Sequence, residues 1–345
     1  MNAESTAPAG LAEADLRQML HHMIRARRHS QRFFALQRQG RVGTNAPIDG
    51  QEAVVVGSVA ALDPATDWVV PQYREQVAFA RYGDVVLEKQ CLYLRGHPAG
   101  SSYPVDCRVF PQQISLAAQI PHALGLAWGM RLRGEPGVAA VYFGDGASSE
   151  GDFYEAANFA GVLKAPVIFI LTNNQWAIST PRHKQTAATS YADKANAFGF
   201  PGVQVDGNDV IAMWEVTAAA RRRAAAGEGP TLIEAVTFRM GYHTTADDPS
   251  RYVPAEQREE WAARDPIERY RQQLEGLGLW DEAAQQAAEA DADAAFDRAF
   301  AAAEGAELAA DAFFDHVFVT PTQRQARQRS QFLAGRAQRA EAGGA

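Results

Sequence analysis

Cysteine is nearly missing from this chain. Cys91 and Cys107 are the only two in 345 residues, too few for a disulfide framework and without metal-ligand spacing, so reduced thiols are expected and neither reads as a nucleophile. Long apolar runs are missing as well. No stretch approaches the roughly 20 residues that a membrane span needs, and the opening MNAESTAPAG lacks the basic-then-apolar build of a secretory leader. The expected setting is the cytoplasm, with no membrane partner. Positive charge is not in excess either: the formal net charge is -8. Phosphate contacts need a clustered basic footprint, so nucleic acid is excluded as a partner of the whole surface. Finally, no Gly/Ser-rich linker and no fixed-period repeat divides the chain, which predicts one domain with terminal extensions.

What is present is ordinary globular composition, 47% hydrophobic and 21% charged, enough for a large core. Residues 1–10 and 341–345 read as frayed tails. A helical lead-in occupies 11–50: Leu16, Leu20, Ile24 and Phe34 fall at helical spacing over Leu11 to Arg38, and Gly40 ends the run. The basic residues Arg25, Arg27, Arg28 and Arg32, like Arg221 to Arg223, are expected on solvated faces or subunit contacts.

From Gln51 to about residue 282 helices alternate with short apolar runs, the pattern of an α/β fold whose parallel sheet carries helices on both faces. The expected strands are Val138–Phe143, Val167–Leu171 and Thr231–Phe238, with Val203–Val205 weaker. Helices are expected over Ser115–Arg133, kinked or broken at Pro121, and over Ser149–Leu163. The segment from Ala283 to Ala310, within a C-terminal helical extension over 283–340, is rich in Ala, Glu and Asp and reads as a long exposed helix. Phe296, Phe300, Phe313, Phe314 and Phe318 are available to dock it.

Gly144-Asp145-Gly146 follows directly on the apolar run VAAVYF, and Asn173-Asn174 follows the next one. Ligands of open parallel sheets bind beyond the carboxyl ends of the strands. The spacing, roughly 30 residues, is that of a strand-helix-strand unit, so two neighbouring strand ends can bring Asp145 and Asn174 together. Alone, Gly-Asp-Gly is also what a capped turn looks like; the asparagine pair at a second strand end points to a shared ligand. Asp and Asn are hard oxygen donors suited to Mg²⁺, which completes its shell with phosphate oxygens and water, and glycines beside Asp145 let a bulky anion approach the backbone.

The run Gly144-Asp145-Gly146-Ala147-Ser148-Ser149-Glu150-Gly151-Asp152-Phe153, continued by Asn173-Asn174-Gln175-Trp176-Ala177-Ile178-Ser179-Thr180-Pro181, resembles the thiamine diphosphate motif of the alpha subunits of pyruvate and branched-chain 2-oxoacid dehydrogenases. The resemblance spans about Arg38 to Tyr252 and implies a thiamine diphosphate-binding domain over 51–282. It implies Mg²⁺ held by Asp145, Asn174 and the Trp176 carbonyl, with Gly144, Gly146 and Ala147 beside the cofactor. Tyr73 and Arg74, in Gln72-Tyr73-Arg74-Glu75, are similar to the family's diphosphate-binding pair; a loop ion pair between Arg74 and Glu75 is the plainer reading. Ile114 and Leu116 are similar to its pyrimidine-binding stretch, acting through backbone groups.

His243, in the polar loop Gly241 to Tyr252, matches the family's active-site histidine, for which a near-neutral pKa is expected. Thr244 stands where mitochondrial relatives carry a regulated serine. The loop GRVGTNAPIDGQE, Gly40 to Glu52, is similar to the family's substrate-pocket loop and closes the 11–50 segment; in it Thr44 and Asn45 replace the aromatics of many relatives, and Thr172 replaces an arginine found in some branched-chain enzymes.

The implied activity is decarboxylation of a small 2-oxoacid, with transfer of the acyl group to a lipoyl-bearing acyltransferase component. The implied assembly is an α2β2 heterotetramer, because the glutamate that activates the cofactor lies on the family's separate beta subunit. Two other readings remain open from the residues: an acetoin dehydrogenase alpha subunit, and a non-catalytic subunit that binds a nucleotide in the same pocket.

Overall fold

A computed structural model describes residues 10–343, apart from 308, 310 and 316. The expectations for 1–9 and 344–345 lie outside the described residues, and the last helix continues to Gly343.

Five parallel strands form the central sheet: β1 (Trp68–Val70), β2 (Ala139–Gly144), β3 (Val167–Asn173), β6 (Gly202–Asp206) and β7 (Thr231–Val236), in the order β1-β2-β3-β7-β6. A small antiparallel hairpin, β4 (Trp176–Ala177) with β5 (Thr180–Pro181), stands outside it. The apolar runs are continuous because both faces of the sheet are covered. Val141, Phe143, Phe169 and Leu171 enter one core, while Ala140, Tyr142, Ile168 and Ile170 enter the other, as a side-chain period of two requires.

Helices α4 (Gln119–Leu132) and α5 (Gly151–Leu163) cover the first face. The second is covered by α1 (Glu13–Arg38), α2 (Glu52–Ala60) and α6 (Val210–Ala225), which lies between β6 and β7. The division follows from handedness. The steps β1 to β2 to β3 run one way across the sheet and the step β6 to β7 runs back, so right-handed crossovers put their helices on opposite faces. The direction reverses between β3 and β7. Chain leaving the carboxyl ends of those two strands diverges and leaves a crevice. Around this body lie α3 (Val85–Leu94), α7 (Ala255–Ala262), α8 (Pro266–Gly276), α9 (Glu282–Gly305) and α10 (Gln323–Gly343).

Several expectations need correction. Helix α4 begins at Gln119, so Pro121 falls in its first turn, where a missing N–H costs no helical bond, and it neither kinks nor breaks the helix. The strand Trp68–Val70 escapes pattern reading because three residues carry no period. Helix α9 is not an exposed rod: Ala288, Ala292, Phe296, Ala299, Phe300 and Ala303 are buried, and all of these but Ala292 join the core that α1 and α3 share. Of the remaining phenylalanines, Phe313 and Phe314 pack on Phe332 of α10, whereas Phe318 is exposed.

Of the arginines of α1, Arg25 and Arg27 are largely withdrawn from solvent, whereas Arg28 and Arg32 stay on the part-exposed surface expected of them. Arg27 holds Glu52 at 2.7 Å as well as Asp265, Arg25 pairs with Asp84, Arg28 with Asp293 and Arg32 with Asp297. Arg221 likewise pairs with the buried Asp67. Their carboxylate partners come from distant segments, beyond the reach of helical spacing.

His29 closes the α1–α9 contact: its Nε2–H donates to the Ala292 carbonyl at 2.9 Å. Burial pushes this imidazole down to about 4, against the pull of that hydrogen bond. The unfolded chain therefore takes up a proton first as pH falls. The stability that His29 contributes at neutral pH is lost between about 6.5 and 4, by at most about 2 kcal/mol at pH 5. We expect His29→Gln to flatten the fall in unfolding midpoint between pH 7 and pH 5; a midpoint whose pH dependence matches wild type would remove His29 from this role.

Candidate active site

Strands β2 and β3 are adjacent, with Gly144 opposite Thr172. The turns that follow them open at the same sheet edge, into a cavity of about 610 Å³. Asp145 and Asn174 both line it, with Gly144, Gly146, Ala147 and Trp176. Tyr73 and Arg74 enter from the turn after β1, Ile114 and Leu116 from the stretch before α4, and His243 and Thr244 from the loop after β7. All twelve residues singled out from the sequence thus face one cavity. So do Thr44, Asn45 and Thr172.

Asp145 is 2% exposed, and its carboxylate accepts from the Gly146 N–H and from Gln185 Nε2, each at 3.0 Å. Neither donor carries charge. Burial consequently pushes this carboxyl up to about 6, although Gln185, the Gly146 amide and more distant Arg239 favour its ionised form. Gly146 is required by close packing: a methyl group there would come within 2.8 Å of the Ala177 side chain. The turn after β2 is in this way pressed against the hairpin after β3.

The asparagine pair divides its work. Asn173 points away from the cavity and donates to buried Glu234 of β7 at 2.7 Å, tying the two strands that flank the crevice. Asn174 faces the cavity. Its Oδ1 accepts from the Trp176 N–H at 3.3 Å, and its Nδ2 donates to Gln51 Oε1 at 2.9 Å. The backbone here is strained. Gln175 and Ile178 hold φ of 74° and 53°, and Ala117, beside Leu116, holds 64°, conformations that residues with a side chain rarely adopt and that cluster at functional sites.

Arg74 does not pair with Glu75. Its guanidinium donates to the Pro47 carbonyl at 2.7 Å, to the His243 carbonyl at 2.9 Å and to His243 Nδ1 at 3.0 Å. Glu75 instead accepts from the backbone amides of Gln72 and Arg74. Sequence reading missed Arg239. Buried just beyond β7, it donates to the Trp176 and Ile178 carbonyls at 3.2 and 2.7 Å and to the Tyr252 hydroxyl at 2.8 Å. Tyr252 in turn donates to Asp247, which also accepts from the His243 N–H. The loop after β7 is thus buttoned to the loop after β3. An arginine in the apolar run VTFRM was the available signal, hidden by reading the strand on to Phe238.

His243 departs from expectation. Burial, then the positive charges of Arg74 and Arg239, push its imidazole down to about 3, so at neutral pH the ring is uncharged. Because Nδ1 accepts from the two guanidiniums, the ring proton is assigned to Nε2.

The donor set suits a metal-bound diphosphate. Among the described residues no three His, Cys, Asp or Glu side chains could cage a metal by themselves. Asp145, Asn174 and the Trp176 carbonyl offer oxygen atoms of the kind a hard cation takes, and Arg74 and Arg239 crowd one neutral ring, a charge that an anion would relieve. An open parallel sheet with such a pocket at its reversal point places the chain in the class of α/β proteins that bind their ligand beyond the carboxyl ends of the strands.

Comparison with known proteins narrows the class. A family model described as the dehydrogenase E1 component matches residues 21–310. The alpha subunit of the pyruvate dehydrogenase E1 component from Staphylococcus aureus is 46% identical over 273 residues, 79% of this chain and 73% of that one. The corresponding Staphylococcus epidermidis subunit is 45% identical over the same length and shares. The chain belongs to the dehydrogenase E1 component family, as an alpha subunit of a 2-oxoacid dehydrogenase. That family depends on thiamine diphosphate.

The buried carboxylate generates a prediction. Asp145 prefers its proton more in the folded chain than in the unfolded one, so its cost to stability grows as pH rises from about 4 and is complete above about 6, at most about 3 kcal/mol. Asp145→Asn should therefore stabilise the cofactor-free protein at pH 7 but not at pH 4, while abolishing metal-dependent cofactor binding. Denaturant unfolding at the two pH values checks the first part and calorimetric titration the second; an unchanged cofactor affinity would remove Asp145 from the site.

Proposed function

We propose that this chain, with a beta subunit in an α2β2 heterotetramer, carries out thiamine diphosphate- and Mg²⁺-dependent oxidative decarboxylation of pyruvate and passes the acyl group to a lipoyl-bearing acyltransferase component. The observation that carries this reading is the meeting of Asp145, Asn174, Arg74 and His243 in one cavity at the sheet's reversal point. Pyruvate is the substrate proposed because the pyruvate dehydrogenase subunits above are similar over most of the chain.

When bound, thiamine diphosphate supplies a nucleophilic carbon and an electron sink for the loss of carbon dioxide. The chain's own residues bind and orient. Asp145, Asn174 and the Trp176 carbonyl would hold Mg²⁺, and Tyr73 and Arg74 the diphosphate, where the flat guanidinium fork matches phosphate oxygens. Neutral His243 would present its Nε2–H as a hydrogen-bond donor to the reacting group instead of titrating as a shuttle. Ile114, Leu116 and Ile178 are 61%, 43% and 54% exposed at the cavity rim. These large apolar side chains around a functional opening suit a covering partner, here the beta subunit that would complete the site. A phosphoryl group on Thr244 would bring a dianion against the guanidiniums that receive the cofactor, and would therefore compete with it.

The test is an alpha-beta pair reconstituted with thiamine diphosphate and Mg²⁺ and offered pyruvate, branched-chain 2-oxoacids and acetoin. Pyruvate should give the highest kcat/KM; preference for acetoin would replace the proposal with an acetoin dehydrogenase. Nucleotide-dependent stabilisation together with indifference to thiamine diphosphate would replace it with a binding subunit. In the same assay His243→Ala should keep cofactor affinity within about tenfold while lipoyl acylation falls by about 10²–10³, the loss typical of one removed hydrogen-bond donor. Undiminished acylation would exclude His243 from the mechanism.

A further inference from the structure

Asparagine is an ambiguous metal ligand. Its carboxamide presents an oxygen or, turned over, an NH₂ group that repels a cation. At Asn174 two hydrogen bonds settle the choice. The Trp176 N–H is a backbone donor that cannot reverse, so the atom it meets is Oδ1. The other end of the carboxamide is then Nδ2, and the atom of Gln51 that it meets at 2.9 Å is an acceptor, Oε1. Gln51 is 2% exposed and immediately precedes α2. The next residue, Glu52, is fully buried and held by Arg27 of α1. The acceptor is therefore mounted on a rigid base.

Asp145 shows the same arrangement. Its Oδ2 accepts from Gln185 Nε2 at 3.0 Å. That amide is steadied by the Thr180 carbonyl, to which it also donates at 3.1 Å, and by the Tyr191 hydroxyl, which donates to Gln185 Oε1 at 3.3 Å. Each carboxylate oxygen of Asp145 thus has one fixed donor and keeps a further lone pair.

We propose that Gln51 and Gln185 are positioning residues that set the oxygen faces of Asn174 and Asp145 toward a shared divalent cation. The inference rests on the functional reading above and deepens it. With Gln51 replaced by an apolar residue, Nδ2 loses its acceptor and only the longer bond from the Trp176 N–H, at 3.3 Å, still opposes turning the NH₂ group to the cation. With Gln185 replaced, the Asp145 carboxylate loses its outer donor and can rotate. Partners of this kind, behind metal ligands, typically contribute 10–100-fold to metal affinity.

The experiment uses the assembled alpha-beta complex and Mn²⁺ as a spectroscopic probe, titrated at saturating thiamine diphosphate. Gln51→Leu and Gln185→Leu should each weaken Mn²⁺ binding by about tenfold to a hundredfold. Gln51→Glu keeps an acceptor oxygen opposite Asn174 Nδ2 and should stay within about threefold of wild type, a rescue that a purely structural role would not show. The cofactor-free unfolding midpoint of each variant serves as the folding control. Mn²⁺ affinity unchanged in both leucine variants, or lost equally in Gln51→Glu and Gln51→Leu, would overturn the inference alone. A wild-type complex that binds no Mn²⁺ in the presence of thiamine diphosphate would overturn the functional reading and this inference with it.

Discussion

A carboxylate removed from water and answered only by neutral donors is the constraint on which the rest of this structure depends. Asp145 sits where β2 ends, and its surroundings raise its affinity for a proton instead of supplying a compensating cation. A buried charge of this kind is expensive, and the fold carries the cost because the position is fixed by strong forces: a sheet with helices on both faces and apolar cores on either side of β2. The body supplies rigidity, and its edge holds the unrelieved electrostatics. Stability is distributed away from the cavity and chemistry is concentrated at it, as expected where a site is preorganised for a charged ligand.

Connectivity explains why so few residues suffice. Only between β3 and β7 does the chain reverse its progress across the sheet, and the segments leaving those strands carry Asn174 and His243. Asn173 links the strands through Glu234, and Arg239 links the segments that follow through two carbonyls and Tyr252. The His243 loop is thereby joined to the chain that bears Asn174, so displacing one segment would disturb the other. Arg74 adds a third attachment from the turn after β1.

The sequence disclosed the site more fully than the body that holds it. Gly144-Asp145-Gly146 and Asn173-Asn174 were legible because each sits at the end of an apolar run, a position with few structural uses for Asp or Asn. Strands β2, β3 and β7 were legible for the same reason, since burial on both faces leaves an unbroken apolar word. The arginines of α1 were not, because their meaning lies in Glu52, Asp84, Asp265 and Asp293, residues that only the folded chain brings near. Helix α9 was misjudged because alanine is equally at home on a wet face and in a close helix contact. The neutral state of His243 was hidden too: its neighbour Arg74 is remote in sequence, and two cations on one ring reverse what a histidine ordinarily does.

The contact between Gly146 and Ala177 has a bearing on how this chain can drift over generations. A methyl group added at Gly146 would meet the Ala177 side chain at 2.8 Å, so the glycine cannot be enlarged while the hairpin opposite keeps its place. A larger residue at Gly146 would have to be accompanied by a shift of the opposing turn. That shift would carry Asp145 away from Asn174, which makes two small, chemically silent residues guardians of a separation that neither of them measures directly.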